Sequence, residues 1–146
     1  MEPVAALLYL QALASGFMCG LIWFVQLVHY PLFGRLPAET AQAYWRENRR
    51  ITPRCVLPPM LVEGLTAVLL AVSPPTTIGR GPAVLGLGLV AAAWASTAAV
   101  QMPLHARLGR GSADPDVVRR LVRSNWLRTG LWTARAALAL WMLRAG

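Results

Sequence analysis

The sequence predicts an all-α integral membrane protein, a bundle of four transmembrane helices in a single domain. Its 146 residues are 56% hydrophobic and only 14% charged, whereas soluble domains carry about 25% charged residues. The apolar residues lie in four long blocks, and a helix that crosses a bilayer needs about 20 mainly apolar residues. We therefore expect spans at residues 3–33, 56–72, 82–104 and 125–143.

Local signals refine the second and fourth spans. Pro58 and Pro59 fit the first turn of the second span, where the missing backbone donors cost little. The preceding residues 38–50 have few helix breakers and carry aromatic side chains among charges, which predicts a separate interfacial helix. Asp114 followed by Pro115 is a good helix start. We expect that helix to run into the fourth span without a break.

Small residues recur every four positions on two of the spans. This spacing lets helices approach closely, and we expect it to serve packing within the bundle rather than contact between copies. The residues are Ala12, Gly16 and Gly20 on the first span, and Gly88, Ala92 and Ser96 on the third.

The positions of the arginines predict the orientation in a bacterial inner membrane. Cytoplasmic loops carry an excess of basic residues. We therefore expect loops one and three to be cytoplasmic, facing anionic lipid headgroups, and both termini to lie outside. The net charge of +8 does not indicate nucleic-acid binding, because no nucleic-acid module is recognisable. The first loop holds Arg35, Arg46, Arg49, Arg50 and Arg54, the third Arg107, Arg110, Arg119, Arg120 and Arg123, and the opposite side only Arg80 and Arg144.

Polar side chains occur in the cytoplasmic half of all four spans. Polar groups inside a bilayer are costly and mark functional sites by default. Their spacing of three or four residues puts the members of each pair on one helix face, so we expect one shared pocket. The residues are Gln26 and His29 on the first span, Glu63 on the second, Gln101 and His105 on the third, and Asn125, Arg128 and Arg135 on the fourth.

His29, Glu63 and His105 are the candidate catalytic residues of this pocket. Together they form a plausible ligand set for iron, copper or zinc, and two histidines on separate helices could hold a haem. A metal-free site in which a histidine accepts a proton is an alternative. The candidate substrate-binding residues, with the arginines holding an anionic or phenolic group, are Gln26, Gln101, Asn125, Arg128 and Arg135.

A purely structural interpretation accounts for the same residues. Glu63 would pair with Arg128 or Arg135, and the amides would join helices by hydrogen bonds. The similar ends of the first and third spans, Gln26 to Pro31 and Gln101 to His105, fit either a parallel repeat of helix pairs or chance.

Three short motifs carry a family resemblance. They are His-Tyr-Pro at 29–31, Gln-x-Pro-x-His at 101–105 and Asn-Trp-x-Arg-Thr at 125–129. With them, most of the chain resembles small bacterial four-helix membrane proteins that include the anthrone-oxygenase-like family. The resemblance implies oxygenation of an aromatic, hydroquinone-like compound. An Asn often occupies the place of His105 in that family, which leaves the substrate class open.

Three functions are compatible with these observations. The first is a membrane oxidoreductase that acts on a lipophilic aromatic or quinone-like molecule. The second is a non-enzymatic subunit or assembly factor of a larger membrane complex, so a homo- or hetero-oligomer is also open. A small transporter is less favoured, because the outer half of the bundle lacks the ionisable residues that would line a polar path across the bilayer.

Overall fold

Four helices make up the regular structure of the described residues, 3–110 and 114–146, in a computed structural model. The helices are α1 (Pro3–Phe33), α2 (Ala38–Val72), α3 (Arg80–Leu108) and α4 (Pro115–Ala145). No strand occurs in these ranges, so the prediction of an all-α fold is confirmed. The helices α1, α2 and α3 are long and apolar enough to cross a membrane.

Helix α4 begins as expected and then turns its polar side inward. The side chain of Asp114 accepts a hydrogen bond from the backbone N–H of Asp116, and the helix continues unbroken to Ala145. Along it Arg128 and Arg135 are buried, while Leu127 and Leu140 are more than half exposed. This is the reverse of a water-soluble helix, which turns its apolar stripe toward the core.

Helix α2 differs from the two separate helices expected between residues 38 and 72. It is one helix of 35 residues, and Pro53, Pro58 and Pro59 lie inside it rather than in a first turn. Each proline removes one backbone donor, which transmembrane helices tolerate where neighbouring groups compensate. Trp45, expected at the membrane surface, is fully buried and packs against the Phe33 ring.

Helices α1 and α3 each contain one π-helical turn in front of a proline. The turns cover Val25–His29 and Thr97–Gln101, and Pro31 and Pro103 follow them. A π turn bonds residue i to residue i+5 and is wider than an α turn. Such a turn therefore changes which neighbouring helix each following side chain meets.

The helices pack in a ring. Their backbones lie side by side in the order α1, α2, α3, α4 and back to α1, and the side chains of Tyr30 and Glu63 contact the helices opposite them. The Trp94 ring of α3 packs directly on the backbone of α2 at Gly64, where an added Cβ would lie 2.9 Å from the ring.

The expectation that the small-residue stripes serve packing inside the bundle is wrong for their glycines. An added Cβ at Gly16, Gly20 or Gly88 would meet nothing within 4 Å, and all three are exposed. Only Ser96 of the third-span stripe is buried. The close approaches inside the bundle instead occur at Gly64 and Gly86, which the spacing did not single out.

Candidate functional site

A small cavity lies near the arginine-rich end of the bundle, and we call it the histidine cavity. Its volume is about 70 Å³, and its polar lining comes from all four helices. The rest of the lining is apolar, from Met18, Leu21, Ile22 and Val25 on α1 and Val56 on α2. The polar lining residues are His29, Tyr30, Asn48, Thr52, His105 and Arg128.

His29 is held on one side of this cavity by helix α2. Its Nε2 lies 3.2 Å from Oδ1 of Asn48, and the same Oδ1 accepts a hydrogen bond of 3.0 Å from the Thr52 hydroxyl. The Phe33 ring packs edge-on against the imidazole, with centroids 4.4 Å apart. These contacts orient a half-buried imidazole toward α2 rather than toward the amides of α1 and α3.

His105 lines the cavity from helix α3. Its Nε2 lies 2.9 Å from the hydroxyl of Tyr30, while its Nδ1 is buried and has no hydrogen-bond partner among the described residues. Aromatic rings of Tyr30 and Trp45 surround it, with centroids 5.6 and 5.9 Å away. An imidazole paired with a phenol can accept or donate a proton through the same hydrogen bond.

Arg128 joins the cavity to a chain of buried amides. Its Nη1 donates to Oδ1 of Asn125 at 2.9 Å, and the Asn125 amide donates to Oε1 of Gln26 at 2.9 Å. The Nε of Arg128 is buried and unpartnered within the described part of the chain. Gln101 donates separately to the Ser124 hydroxyl at 3.0 Å. The structure thus brings Gln26, Asn125 and Arg128 together, with Gln101 against the same helix.

Glu63 lies in a second group, which we call the Glu63 cluster, formed by Ser15, Glu63, Trp132 and Arg135. The Ser15 hydroxyl donates to Oε1 of the carboxylate at 2.8 Å, and the Trp132 indole donates to Oε2 at 3.0 Å. The Nε of Arg135 lies 3.9 Å from Oε1, and both charged side chains are at most 1% exposed. The carboxylate therefore has three partners, one on the neighbouring helix α1 and two on the opposite helix α4, which suits a buried counter-ion.

The indole of Trp132 separates the two groups. It donates to Glu63, and the guanidinium carbon of Arg128 lies 5.1 Å from its ring centroid. The single pocket expected for His29, Glu63 and His105 therefore contains the two histidines but not the carboxylate. Glu63 was expected near the cavity because the second span was counted from residue 56 rather than from the true start of α2.

The cofactors considered from the sequence do not fit this arrangement. Among the described residues, no three His, Cys, Asp or Glu side chains are grouped closely enough to hold a metal ion, so His29, Glu63 and His105 do not form a ligand set. The histidine cavity has about 70 Å³, less than the several hundred Å³ of usual small-molecule pockets, so it holds no haem without movement of the surrounding side chains.

Three cavity residues were missed from the sequence. Tyr30 follows His29 directly, and helical spacing alone would have turned the two side chains toward different faces. Asn48 and Thr52 lie in the segment interpreted as interfacial. The one available signal was their recurrence, since Asn48 and Thr52 are four residues apart, as are Asn125 and Thr129.

An open cavity of about 560 Å³ lies on the surface of α4, outside both groups. It is lined by Asp116, Arg119, Arg120, Arg123 and Ser124. Arg119 forms an ion pair with Asp116, so the other two arginines supply most of its positive charge.

No family model, curated protein or solved structure matches the chain.

Proposed function

We propose that the histidine cavity binds the hydroxyl or carbonyl end of a lipophilic aromatic molecule, and that the protein is a membrane oxidoreductase acting on it. The observation that carries the proposal is the meeting of His29, His105 and Arg128 around one cavity. Two potential proton acceptors and a fixed cation are the groups that a phenolic substrate needs. A histidine removes the proton, and the guanidinium stabilises the oxyanion that forms.

This chemistry extends to the oxygenation implied by the family resemblance. A methylene group between aromatic rings becomes acidic when the resulting charge can move to an oxygen held by Arg128. A histidine takes the first proton, the carbanion reduces dioxygen to a bound hydroperoxide, and loss of water leaves a ketone. The balance is CH2 + O2 → C=O + H2O, so dioxygen is the oxidant and the histidine is regenerated.

The size of the cavity limits what enters it. A volume of about 70 Å³ holds about two water molecules at their liquid volume, so it admits the polar end of a substrate but not its rings. The apolar lining lies on α1 and on Val56 of α2. The aromatic body is therefore expected to lie between these two helices, where side chains must move aside to admit it.

Oxygen uptake tests the proposal. We expect the protein in lipid nanodiscs to consume dioxygen with anthrone as the probe, and to bind trimethylhydroquinone competitively. His29→Gln and His105→Gln should each lower the rate about 100- to 10,000-fold, the usual contribution of a general base. Glu47→Gln, an exposed change outside the cavity, is the control. Uptake that is unaffected by both histidine substitutions would exclude the cavity as the site.

A second candidate function is a non-enzymatic subunit of a larger membrane complex. It is favoured by the outward-facing glycines of α1 and α3, because small residues on a lipid-facing surface allow close contact with another membrane helix. If the purified protein binds neither probe, this second function becomes the better account of the chain.

We also propose that α4 is the fourth span and that loops one and three face the cytoplasm. The inward arginines and outward leucines of α4 support a helix surrounded by lipid, and the positions of the arginines support the orientation. The open cavity at Arg120 and Arg123 would then face anionic headgroups of the inner leaflet of the bacterial plasma membrane.

Labelling of single cysteines in intact cells tests this orientation. In a background with Cys19→Ser and Cys55→Ser, we expect Thr77→Cys, between α2 and α3, to react with a membrane-impermeant maleimide. Ser112→Cys, which lies outside the described residues, should react only after the cells are opened. Reaction of Ser112→Cys from outside would reverse the topology.

A further inference from the structure

The two halves of the chain repeat one structural device. Each half has a helix with a π turn followed by a proline, and then a helix that carries Arg-x-Asn-x-x-x-Thr, at residues 46–52 and 123–129. The π turns place His29 and Gln101 at equivalent positions, the last residue of each turn. The similarity between the sequence segments 26–31 and 101–105 instead pairs Gln26 with Gln101. The ring order of the four helices is that of two hairpins side by side.

In both hairpins the repeated asparagine binds a side chain from a π turn. Asn48 contacts His29 within its own hairpin, and Asn125 of the second hairpin contacts Gln26 of the first. The repeated threonines differ in their partners. The Thr52 hydroxyl donates to the Asn48 side chain, whereas the Thr129 hydroxyl donates to the Asn125 backbone carbonyl. Only the first hairpin therefore uses its threonine to fix the asparagine side chain.

We propose that Asn48 and Thr52 are positioning residues that hold His29 with its proton on Nε2, so that Nδ1 is the nitrogen that accepts the substrate proton. Oδ1 of Asn48 accepts from the Thr52 hydroxyl and is also the atom that faces the imidazole. An amide oxygen only accepts, so the ring nitrogen 3.2 Å from it must carry a hydrogen. Neutral imidazole has one N–H, and Nδ1 is then bare.

The two histidines consequently take different roles. The partner of His29 Nε2 is an acceptor only, whereas the partner of His105 Nε2 is the Tyr30 hydroxyl, which both donates and accepts. When a proton moves from substrate to Nδ1 of His29, the new imidazolium keeps its Nε2–H bond to Asn48. The pair of His105 and Tyr30 remains available to donate a hydrogen bond to the substrate oxygen. The catalytic role of His29 rests on the proposed function, but its tautomer does not.

Nitrogen NMR of the protein labelled with ¹⁵N-histidine tests the inference directly. The chain has only two histidines, so four ring nitrogens are observed, and His105→Gln identifies those of His29. At a pH where both rings are neutral, we expect a protonated Nε2 and a bare Nδ1 for His29. Asn48→Leu should replace this single tautomer with a mixture, and Thr52→Val should shift it partly in the same direction.

Thr129→Val is the matched control, because it removes the equivalent hydroxyl of the second hairpin and should leave the His29 signals unchanged. Thermal melts establish that each variant is folded, and Thr52→Val provides the test if Asn48→Leu is not. A wild-type His29 with its proton on Nδ1 overturns the inference even where anthrone is turned over. A bare Nδ1 in a protein that neither binds nor oxidises a probe supports the inference and excludes the proposed function.

Discussion

A Glu63→Gln variant should melt far below the wild-type protein in detergent, or fail to accumulate in the membrane. The substitution keeps the shape of the side chain but removes the charge that faces Arg135 at 3.9 Å. It leaves a guanidinium that is 1% exposed without a counter-ion. Breaking a buried ion pair by removing one partner costs about 3–5 kcal/mol. The hydrogen bonds from Ser15 and Trp132 also lose a charged acceptor.

The control is the same substitution in an exposed ion pair. Glu47 pairs with Arg50 on the surface of α2, so Glu47→Gln should leave the melting temperature unchanged. Arg135→Met combined with Glu63→Gln should recover part of the lost stability, because the double variant buries no unpaired charge. A Glu63→Gln protein that melts like the wild type but no longer binds a probe would show that the carboxylate belongs to the ligand site after all.

Trp132→Ala should be about as damaging as the loss of Glu63. The indole is fully buried, donates to the Glu63 carboxylate and lies beneath the Arg128 guanidinium. Replacing a buried tryptophan with alanine costs about 3–5 kcal/mol through lost contacts and the cavity left behind. We also expect water to enter the space left by the indole and to connect the histidine cavity with the Glu63 cluster.

Trp141 provides the comparison on the same helix. Its side chain is 49% exposed, so Trp141→Ala should lower the melting temperature much less than Trp132→Ala. Thermal melts of the two variants in one detergent measure the difference. Similar losses for both would mean that Trp132 contributes no more than a lipid-facing residue, contrary to its place between the two groups.

The sequence predicted the helices better than their ends. Long apolar blocks located α1 and α3 and the start signal at Asp114 located α4, because these depend on local properties of the chain. The fusion of residues 38–50 with the second span was not predictable from the same signals. Three prolines in one segment normally indicate a helix end, whereas the burial of Trp45 against Phe33 stabilises the part of the helix that precedes them.

The sequence predicted that these polar residues lie inside the bundle but not how they are grouped. All eight polar residues chosen from the sequence are buried or half-buried, as the high energy of polar groups in lipid requires. Their division into two groups follows from features that the residue pattern does not contain. The π turn of α1 directs Gln26 toward α4 and His29 toward α2, although three residues of regular α-helix would put them on one face.

The lengths of the helices indicate the depth in the membrane at which each polar group would lie. At about 1.5 Å per residue, the 31 residues of α1 extend about 46 Å, but the hydrocarbon layer is about 30 Å thick. Measured from the helix ends remote from the arginine-rich loops, Ser15 is about 18 Å deep and Glu63 about 14 Å. If the hydrocarbon layer begins at these helix ends, the ion pair would lie near the bilayer midplane, where an unpaired charge is most costly.

His29 is about 39 Å from the same end of α1, which on the same assumption would place it beyond the hydrocarbon and among the headgroups. An amphiphilic phenol resting at the water boundary already has its hydroxyl at that level. It could approach the histidines by lateral diffusion within one leaflet, and its polar end would not cross the hydrocarbon core. Partition of the substrate into the membrane surface would then set its local concentration at the protein.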